Sequence, residues 1–480
     1  MTLHVSLVGR RNLSVEIYRQ VRDAIVSGAL RPGDRVPASR ELAAALDVSR
    51  MTVTIAYERL SAEGFVVSRV GDGTFVGPHP AQGQRAVGRR EDGGALRARR
   101  EWQSIPLPTS FTQPAAFDFR TGIPDRSLFP QAAWRRLLAR ALKAACETGG
   151  PYGDPAGHPD LRAAIARHVG ISRGVIVTPD DVTVTNGTQQ ALDIIGRILL
   201  RPGDGIAVED PGYVVPRRLF RTLGSRVVGV PVDREGLVVH AIPRNVRVVY
   251  VTPSHQYPLG IAMTLARRRS LLAWAERHDG AVIEDDYDSE FRFGDRPLEP
   301  LRTLDVAGRV IYVGSFSKTL LPALRLGFMI TPPSLRSAAH AAKFLSDWHS
   351  PTVTQIALAE FLETGGFGRH LRRVNAVYRE RHQLLTTALA TRFDADLELM
   401  PSSTGLHIAG IARKASVNEI EALARRAADK GVAIQTLSFF ATGERALAGI
   451  VLGYGGIMTT DIEEGLRRLE KCFRQVTYPR

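Results

Sequence analysis

Apolar positions change their period along this chain, and the change divides it. Near the N-terminus Ile17, Val21 and Ile25 recur at helical spacing, which predicts a helix from about Ser14 to Gly28, where glycine suits a left-handed cap. The turn-forming string PGDRVPAS follows, and Ser39 then caps a short helix carrying Arg40, Leu42, Ala43 and Ala44. After Leu46-Asp47-Val48, Ser49 caps another helix, Arg50 through Glu63. Gly64–Arg69 and Gly73–Val76 alternate about Gly71-Asp72-Gly73, a hairpin pattern. Two short helices joined by a tight turn form a helix-turn-helix, whose second helix can enter a major groove. Its first turn presents Arg50, Thr52 and Thr54, side chains able to meet phosphates or base edges. The alternative for the same pattern is a small helical dimerisation module.

Residues 78–112 lose this periodicity and are rich in Gly, Pro, Arg and Ala, the composition of a flexible linker. Beyond them β-branched runs return: VTVT (182–185), IAVE (206–209), VRVVYV (246–251), AVIEDD (281–286) and VIYVG (310–314). Amphipathic stretches such as Gln189–Leu200 and Leu265–His278 lie between the runs. That alternation predicts an α/β domain with a mostly parallel sheet. The reading is therefore a helix-turn-helix unit over 12–77, a linker over 78–112 and a large domain over 113–480.

Composition adds little to this picture except by exclusion. A chain of 480 residues exceeds what one core usually organises. No apolar run approaches the roughly 20 residues needed to cross a bilayer, and no leader peptide is expected, so the reading is of a cytoplasmic protein without a membrane partner. The only cysteines, Cys146 and Cys472, lack metal-ligand spacing, and neither a disulfide framework nor a metal site is expected. The formal charge of +14 favours a polyanionic partner, although arginine-rich composition alone would produce much of it. Lysine occurs only at 143, 318, 343, 414, 430 and 471, which makes each position informative.

Lys318 follows a buried-strand pattern in Gly314-Ser315-Phe316-Ser317-Lys318, with Arg325 a short way beyond. Strand ends are where open α/β sheets bind ligands, a lysine amine can form a Schiff base with an aldehyde, and the hydroxyls of Ser315 and Ser317 with the Arg325 guanidinium suit a phosphate. Gly187 and Thr188 link another strand to a helix whose N-terminus suits an anion. Tyr213 follows the next strand and can stack on a flat ring. Asp285 ends a further strand, where a carboxylate can pair with a protonated pyridine nitrogen, and Tyr287 stands two residues on. Each has a bland reading alone: a turn, a core tyrosine, a solvated lysine. All of them at strand ends in this order form one pattern.

The string from Ile17 to Val76 closely resembles the winged-helix domain of GntR-family regulators, carried by PGDRVPASRELA, VSRMTV and GTFV. By that resemblance Arg40 and Arg50 contact bases or phosphates of a double-stranded DNA operator, with Ser49 at the helix start, and Gly71 and Gly73 let the wing approach the minor groove. Residues from about 117 to 475 resemble a fold-type I aminotransferase domain that uses pyridoxal 5'-phosphate (PLP), carried by YGDPAGHPDLR, VTNGTQQALDII, EDPGY, TPSHQYPLG, EDDYDSEFR and GSFSKTLLPALRLGF. A small C-terminal α+β subdomain comes with that fold. The whole chain is similar to the MocR/GabR subfamily of GntR regulators. The resemblance implies that Lys318 anchors PLP as a Schiff base, Asp285 pairs with the pyridine nitrogen, Tyr287 reaches the phenolic oxygen and Tyr213 stacks on the ring. It implies that Gly187, Thr188, Ser315, Ser317 and Arg325 hold the phosphate. Tyr152 would reach the phosphate of a neighbouring subunit in a head-to-tail homodimer.

Two departures from the aminotransferases bear on function. Tyr257, in His255-Gln256-Tyr257-Pro258, stands where those enzymes carry the Asn that bonds the phenolic oxygen. Val451, in Ile450-Val451-Leu452-Gly453-Tyr454, stands where an arginine clamps the substrate's α-carboxylate. Losing a charge-assisted bidentate contact removes a few kcal/mol of amino-acid binding. With the DNA-binding head, both favour a regulator that senses PLP or a PLP-reactive amine, with amino-acid effectors fitting less well, over a working aminotransferase. Genes of vitamin B6 or of amine and amino-acid metabolism are the expected targets.

Overall fold

The computed structural model describes residues 5, 7, 12–69, 71–78, 97–103, 105–107, 115–147, 149–294, 299–443 and 446–477. The chain separates into two compact units, 1–98 and 99–480. Most of the stretch read as a linker lies outside the described residues; within it Arg100–Gln103 forms one helical turn.

The first unit is α1 (Leu13–Val26), α2 (Ser39–Ala45), α3 (Arg50–Ala62) and a hairpin of β1 (Val66–Arg69) and β2 (Gly73–Val76). Ile17 and Val21 of α1 meet Val53 and Leu60 of α3 in a core from which water is excluded. Burying each such side chain stabilises the fold by about 1.5–3 kcal/mol. Ser49 caps α3 as expected, its Oγ accepting the Thr52 N–H at 3.1 Å. Ser39 does not cap α2. The helix starts one residue sooner, with Ala38 at the cap position and its N–H donated to the Glu41 carboxylate at 3.1 Å, so Ser39 is already helical. The hairpin pairs Arg69 with Gly73, and Gly71 and Gly73 take φ of 85° and 114°, values that favour glycine.

In the second unit an eight-stranded sheet runs in the order Val182–Thr185, Gly327–Ile330, Val310–Ser315, Ala281–Asp286, Val246–Val251, Gly205–Asp210, Arg226–Asp233, Gly236–Leu237. The pairings leave only Gly327–Ile330 and Gly236–Leu237 opposed to the other strands, so the sheet is mostly parallel. Helices such as Thr188–Leu199 and Leu265–Arg277 bury their apolar stripes on the sheet, and this is why its strands read as unbroken apolar runs. Because the like-directed strands share one sense, Thr185, Asp210, Val251, Asp286 and Ser315 all end at one edge. A smaller antiparallel sheet of Leu397–Leu399, His407–Ala412, Gly449–Gly453 and Gln435–Thr436 packs with Gly366–Arg392, Val417–Asp429 and Ile462–Thr477, the α+β subdomain expected from the resemblance. Among the described residues no helix is long and apolar enough to cross a membrane.

Candidate functional site

The strand ends of the large sheet build a cup. After Thr185 the chain turns through Asn186 and Gly187 into the helix Thr188–Leu199, whose first N–H groups have no intrahelical partners. Arg325 is held across this turn: its guanidinium donates to the Asn186 carbonyl at 2.7 Å, and its own backbone takes φ 51°. Gly187 sits at φ 79°, and a Cβ there would lie 2.6 Å from the Arg325 guanidinium. Gly327 likewise faces Gly187, with its would-be Cβ 2.8 Å from the Gly187 Cα. Ser315 Oγ accepts the Ser317 N–H at 3.1 Å at the start of the turn that carries Lys318. Helix N–H groups, two hydroxyls and a guanidinium on a glycine-lined turn suit a phosphate.

Lys318 Nζ donates to the Gly122 carbonyl at 2.6 Å. Burial lowers its pKa from the ordinary lysine value, while Asp288 and Asp285 oppose the shift. Asp285 is buried, and its Oδ2 accepts the Tyr250 hydroxyl at 2.7 Å. Its Oδ1 is buried with no partner in the protein, an acceptor positioned for a cationic N–H. Burial pushes the Asp285 carboxyl up to about 7. Glu209 lies nearby with Oδ-type acceptors of its own: Oε2 takes the Thr252 hydroxyl at 2.7 Å, Oε1 is buried and unpartnered, and burial again raises the group to about 7. The orphaned Asp285 oxygen, the lysine amine and the phosphate-type turn are the set PLP requires, and these residues fit it.

The remaining expected side chains are placed less uniformly. Tyr213 stands at the start of the helix Val214–Thr222, its ring edge-on to Tyr257 at 5.6 Å between centroids. The Tyr287 hydroxyl donates to the His255 carbonyl at 2.9 Å and lies 3.1 Å from His255 Nδ1. Tyr257 turns its hydroxyl to Thr121 Oγ1 at 2.5 Å, and Thr121 Oγ1 donates to Gln435 at 2.6 Å. Val451 is fully buried in an apolar cluster with Val214, Leu259, Ala409 and Phe440, against which Tyr257 packs. Tyr152 does not enter this chain's cup; it is 76% exposed and stacks on Trp348 at 4.5 Å.

On the first unit Arg40 and Arg50 are exposed, as is Gly71 at the hairpin tip. Met51 and Ile55 share the outer face of α3. Thr52 and Thr54 are engaged within the helix: Thr52 Oγ1 lies 2.8 Å from Ser49 Oγ, and Thr54 donates to the Arg50 carbonyl at 3.0 Å. Gly73 stands against Arg35, whose Nε would lie 2.9 Å from a Cβ at that position.

Comparison with known proteins agrees with both units. Residues 13–76 match the model described as bacterial regulatory proteins, gntR family, and residues 119–448 match aminotransferase class I and II. The chain is 38% identical over 465 residues to the probable rhizopine catabolism regulatory protein MocR of Rhizobium meliloti, covering 95% of this chain and 93% of that one. It belongs to the MocR-type regulators of the GntR family. The pyridoxine biosynthesis transcriptional regulator PdxR of Corynebacterium glutamicum is 33% identical over 450 residues, 92% of each chain. Among solved structures, kynurenine aminotransferase of Pyrococcus horikoshii, solved in complex with PMP, superposes with a TM-score of 0.72 at 26% identity, covering 79% of this chain and 97% of that one. A MocR-type chain thus joins a DNA-binding winged helix to an aminotransferase-like fold, and its relatives are named as regulators.

The sequence reading of this MocR-type site missed the partners that hold it. Gly122, Tyr250 and Thr121 were not singled out, yet they meet Lys318, Asp285 and Tyr257. Tyr250 carried a usable signal, the lone hydroxyl in the run VRVVYV. Gly122 carried none, because its role is a backbone carbonyl supplied across 196 positions of chain.

Proposed function

We propose that this MocR-type protein binds PLP at Lys318 and regulates transcription in response to PLP itself or to an amine that reacts with it. The observation that carries the reading is the buried, unpartnered Oδ1 of Asp285 in the same cup as the Lys318 amine. Asp285 would pair with the pyridine nitrogen, and Gly187, Thr188, Ser315, Ser317 and Arg325 would hold the phosphate. Tyr213 would cover the ring face, and the Tyr287 hydroxyl would serve the phenolic oxygen. When bound, PLP supplies an aldehyde that condenses with a primary amine. The apolar surroundings of Val451 favour PLP, or an amine lacking an α-carboxylate, as the effector over an amino acid. Arg40, Ser49, Arg50, Thr52, Thr54, Gly71 and Gly73 would form the operator-facing surface of the winged unit. The exposed Tyr152 supports a head-to-tail homodimer in which it reaches the partner's phosphate turn. Target genes in vitamin B6 or amine and amino-acid metabolism, and a cytoplasmic location, follow from the same reading.

The test is a titration of the purified protein onto its own upstream DNA, with and without PLP and a panel of amines. DNA binding that shifts with PLP or with an amine is expected. Binding indifferent to all of them would refute sensing, and multiple-turnover transamination of any amine would favour an enzyme instead.

A further inference from the structure

Beside the cup lies a cluster that the proposed function leaves without a task. His255, Asp288 and His407 are each at most 2% exposed, and their ligand-type atoms lie within 4.8 Å of one another. His255 Nδ1 stands 3.1 Å from both Asp288 oxygens and 3.1 Å from the Tyr287 hydroxyl. Asp288 Oδ2 also accepts the Leu406 N–H at 3.1 Å, which fixes the carboxylate. His407 donates from Nε2 to the Pro258 carbonyl at 3.0 Å. Gly405 closes the cluster from the other side: at φ 80°, any Cβ there would collide with the His255 ring and with Asp288.

The same three side chain types could hold a metal ion, but the geometry favours a hydrogen-bonded dyad. An imidazole nitrogen 3.1 Å from both oxygens of a buried carboxylate has a proton between them, and a protonated nitrogen has no lone pair for an ion. His255 Nε2, the nitrogen left with a lone pair, is buried without a partner. With its proton on Nδ1, His255 can donate to Asp288 and to the Tyr287 oxygen from the same N–H. The Tyr287 hydroxyl then keeps its own proton, which in this structure goes to the His255 carbonyl.

We propose that His255, oriented by Asp288, is a positioning residue for Tyr287. It donates into the Tyr287 oxygen and leaves the tyrosine proton free to meet the phenolic oxygen of PLP. The aligned donors Nδ1–H and Oη–H polarise one another, so the tyrosine becomes a stronger donor than it would be alone. The His-Gln string that sets this chain apart from the aminotransferases thereby acquires a role: the side chain at 255 supports the phenolic oxygen's donor from behind. The inference rests on the PLP reading.

The experiment loads the purified full-length protein with PLP and follows the absorbance of the lysine-bound cofactor against pH. A donor at the phenolic oxygen favours its anionic form once the imine has lost its proton, so weakening that donor should move the titration midpoint up. His255→Phe is expected to raise the midpoint by about half a unit to one unit, the size of one lost charge-assisted donor. His255→Asn, which keeps an N–H near the Nδ1 position, should restore most of the wild-type midpoint. In a Tyr287→Phe background the His255→Phe change should add nothing. If His255→Phe does not fold, His255→Ala supplies the same comparison. An unchanged midpoint, an equal shift in both backgrounds, or stoichiometric zinc in the wild-type protein that His407→Ala loses would each overturn the proposal. Absence of any lysine-bound absorbance in the wild type would instead overturn the PLP reading beneath it.

Discussion

Replacing Asp285 by Asn should strengthen the cofactor-free protein and weaken its hold on PLP, two opposite effects from one carboxylate. The buried carboxyl has its pKa pushed up to about 7 from an ordinary 3.8 by removal from water. A carboxyl whose folded pKa is raised binds its proton more tightly in the native state than in the unfolded one. Stability from this group is therefore greatest below the unfolded pKa and falls as pH rises from about 4 to about 7. At 1.36 kcal/mol per unit, the interval from 3.8 to about 7 amounts to at most about 4 kcal/mol. Asn cannot ionise, so the cofactor-free variant should gain on the wild type progressively across that window and match it at lower pH. Bound PLP reverses the sign, because a protonated pyridine nitrogen gives the charged carboxylate a partner at Oδ1. Losing that charge-assisted bond should cost about 1.5–3 kcal/mol, or roughly ten- to a hundredfold in affinity. Urea denaturation of the cofactor-free proteins at several pH values measures the first effect, and absorbance titration with PLP the second. A variant whose stability profile parallels the wild type, or one that binds PLP equally well, would refute the argument.

Three further outcomes follow from particular contacts. Gly187→Ala places a Cβ 2.6 Å from the Arg325 guanidinium at a φ of 79°, so PLP affinity should fall at least tenfold and stability by about 1–3 kcal/mol, read by titration and thermal melting. Val451→Arg buries a charge in an apolar cluster and should lower the melting midpoint; an α-amino acid should raise it again by supplying the missing carboxylate, and no response to any amino acid would count against the assigned position. Arg50→Ala removes an exposed charge at the start of α3 and should weaken operator binding by about 1–3 kcal/mol, reduce the salt dependence by about one counterion and leave PLP uptake unchanged in a parallel absorbance titration.

What was legible in the sequence was whatever depends on local spacing. The α1 and α3 periodicities, the Ser49 cap and the strand-end positions of Asp285 and Lys318 all follow from residues close together in the chain. The α2 cap was misplaced because Ser39 and Ala38 differ only in which backbone N–H the Glu41 carboxylate reaches, a choice made by geometry rather than residue type. The partners of the cup were hidden for a different reason. Lys318 meets Gly122, Asp285 meets Tyr250 and Tyr257 meets Thr121 through contacts between strands and segments distant in sequence, and a backbone carbonyl such as that of Gly122 leaves no trace in residue identity. His255 and Asp288 were visible only as a departure from the enzyme pattern, and their pairing needed the fold.

Conversion of a catalytic cup into a sensing one requires little chemistry to change. A regulator needs a ligand that binds two states of the protein unequally, since a ligand of equal affinity shifts nothing however tightly it binds. The groups suited to holding PLP are present and mutually supported: the Gly187 turn under Arg325, the Lys318 amine and the orphaned Asp285 oxygen. The position suited to gripping a second substrate has instead been filled with apolar side chains around Val451, and the Tyr257 hydroxyl is spent on Thr121. Tight retention of the cofactor without a carboxylate clamp disfavours repeated turnover of amino acids, because the external substrate has lost its strongest anchor. It does not disfavour occupancy-dependent signalling, for which retention itself is the event. The two departures therefore act in the same direction, and restoring the clamp by Val451→Arg is the most direct way to ask whether that one position separates sensor from enzyme.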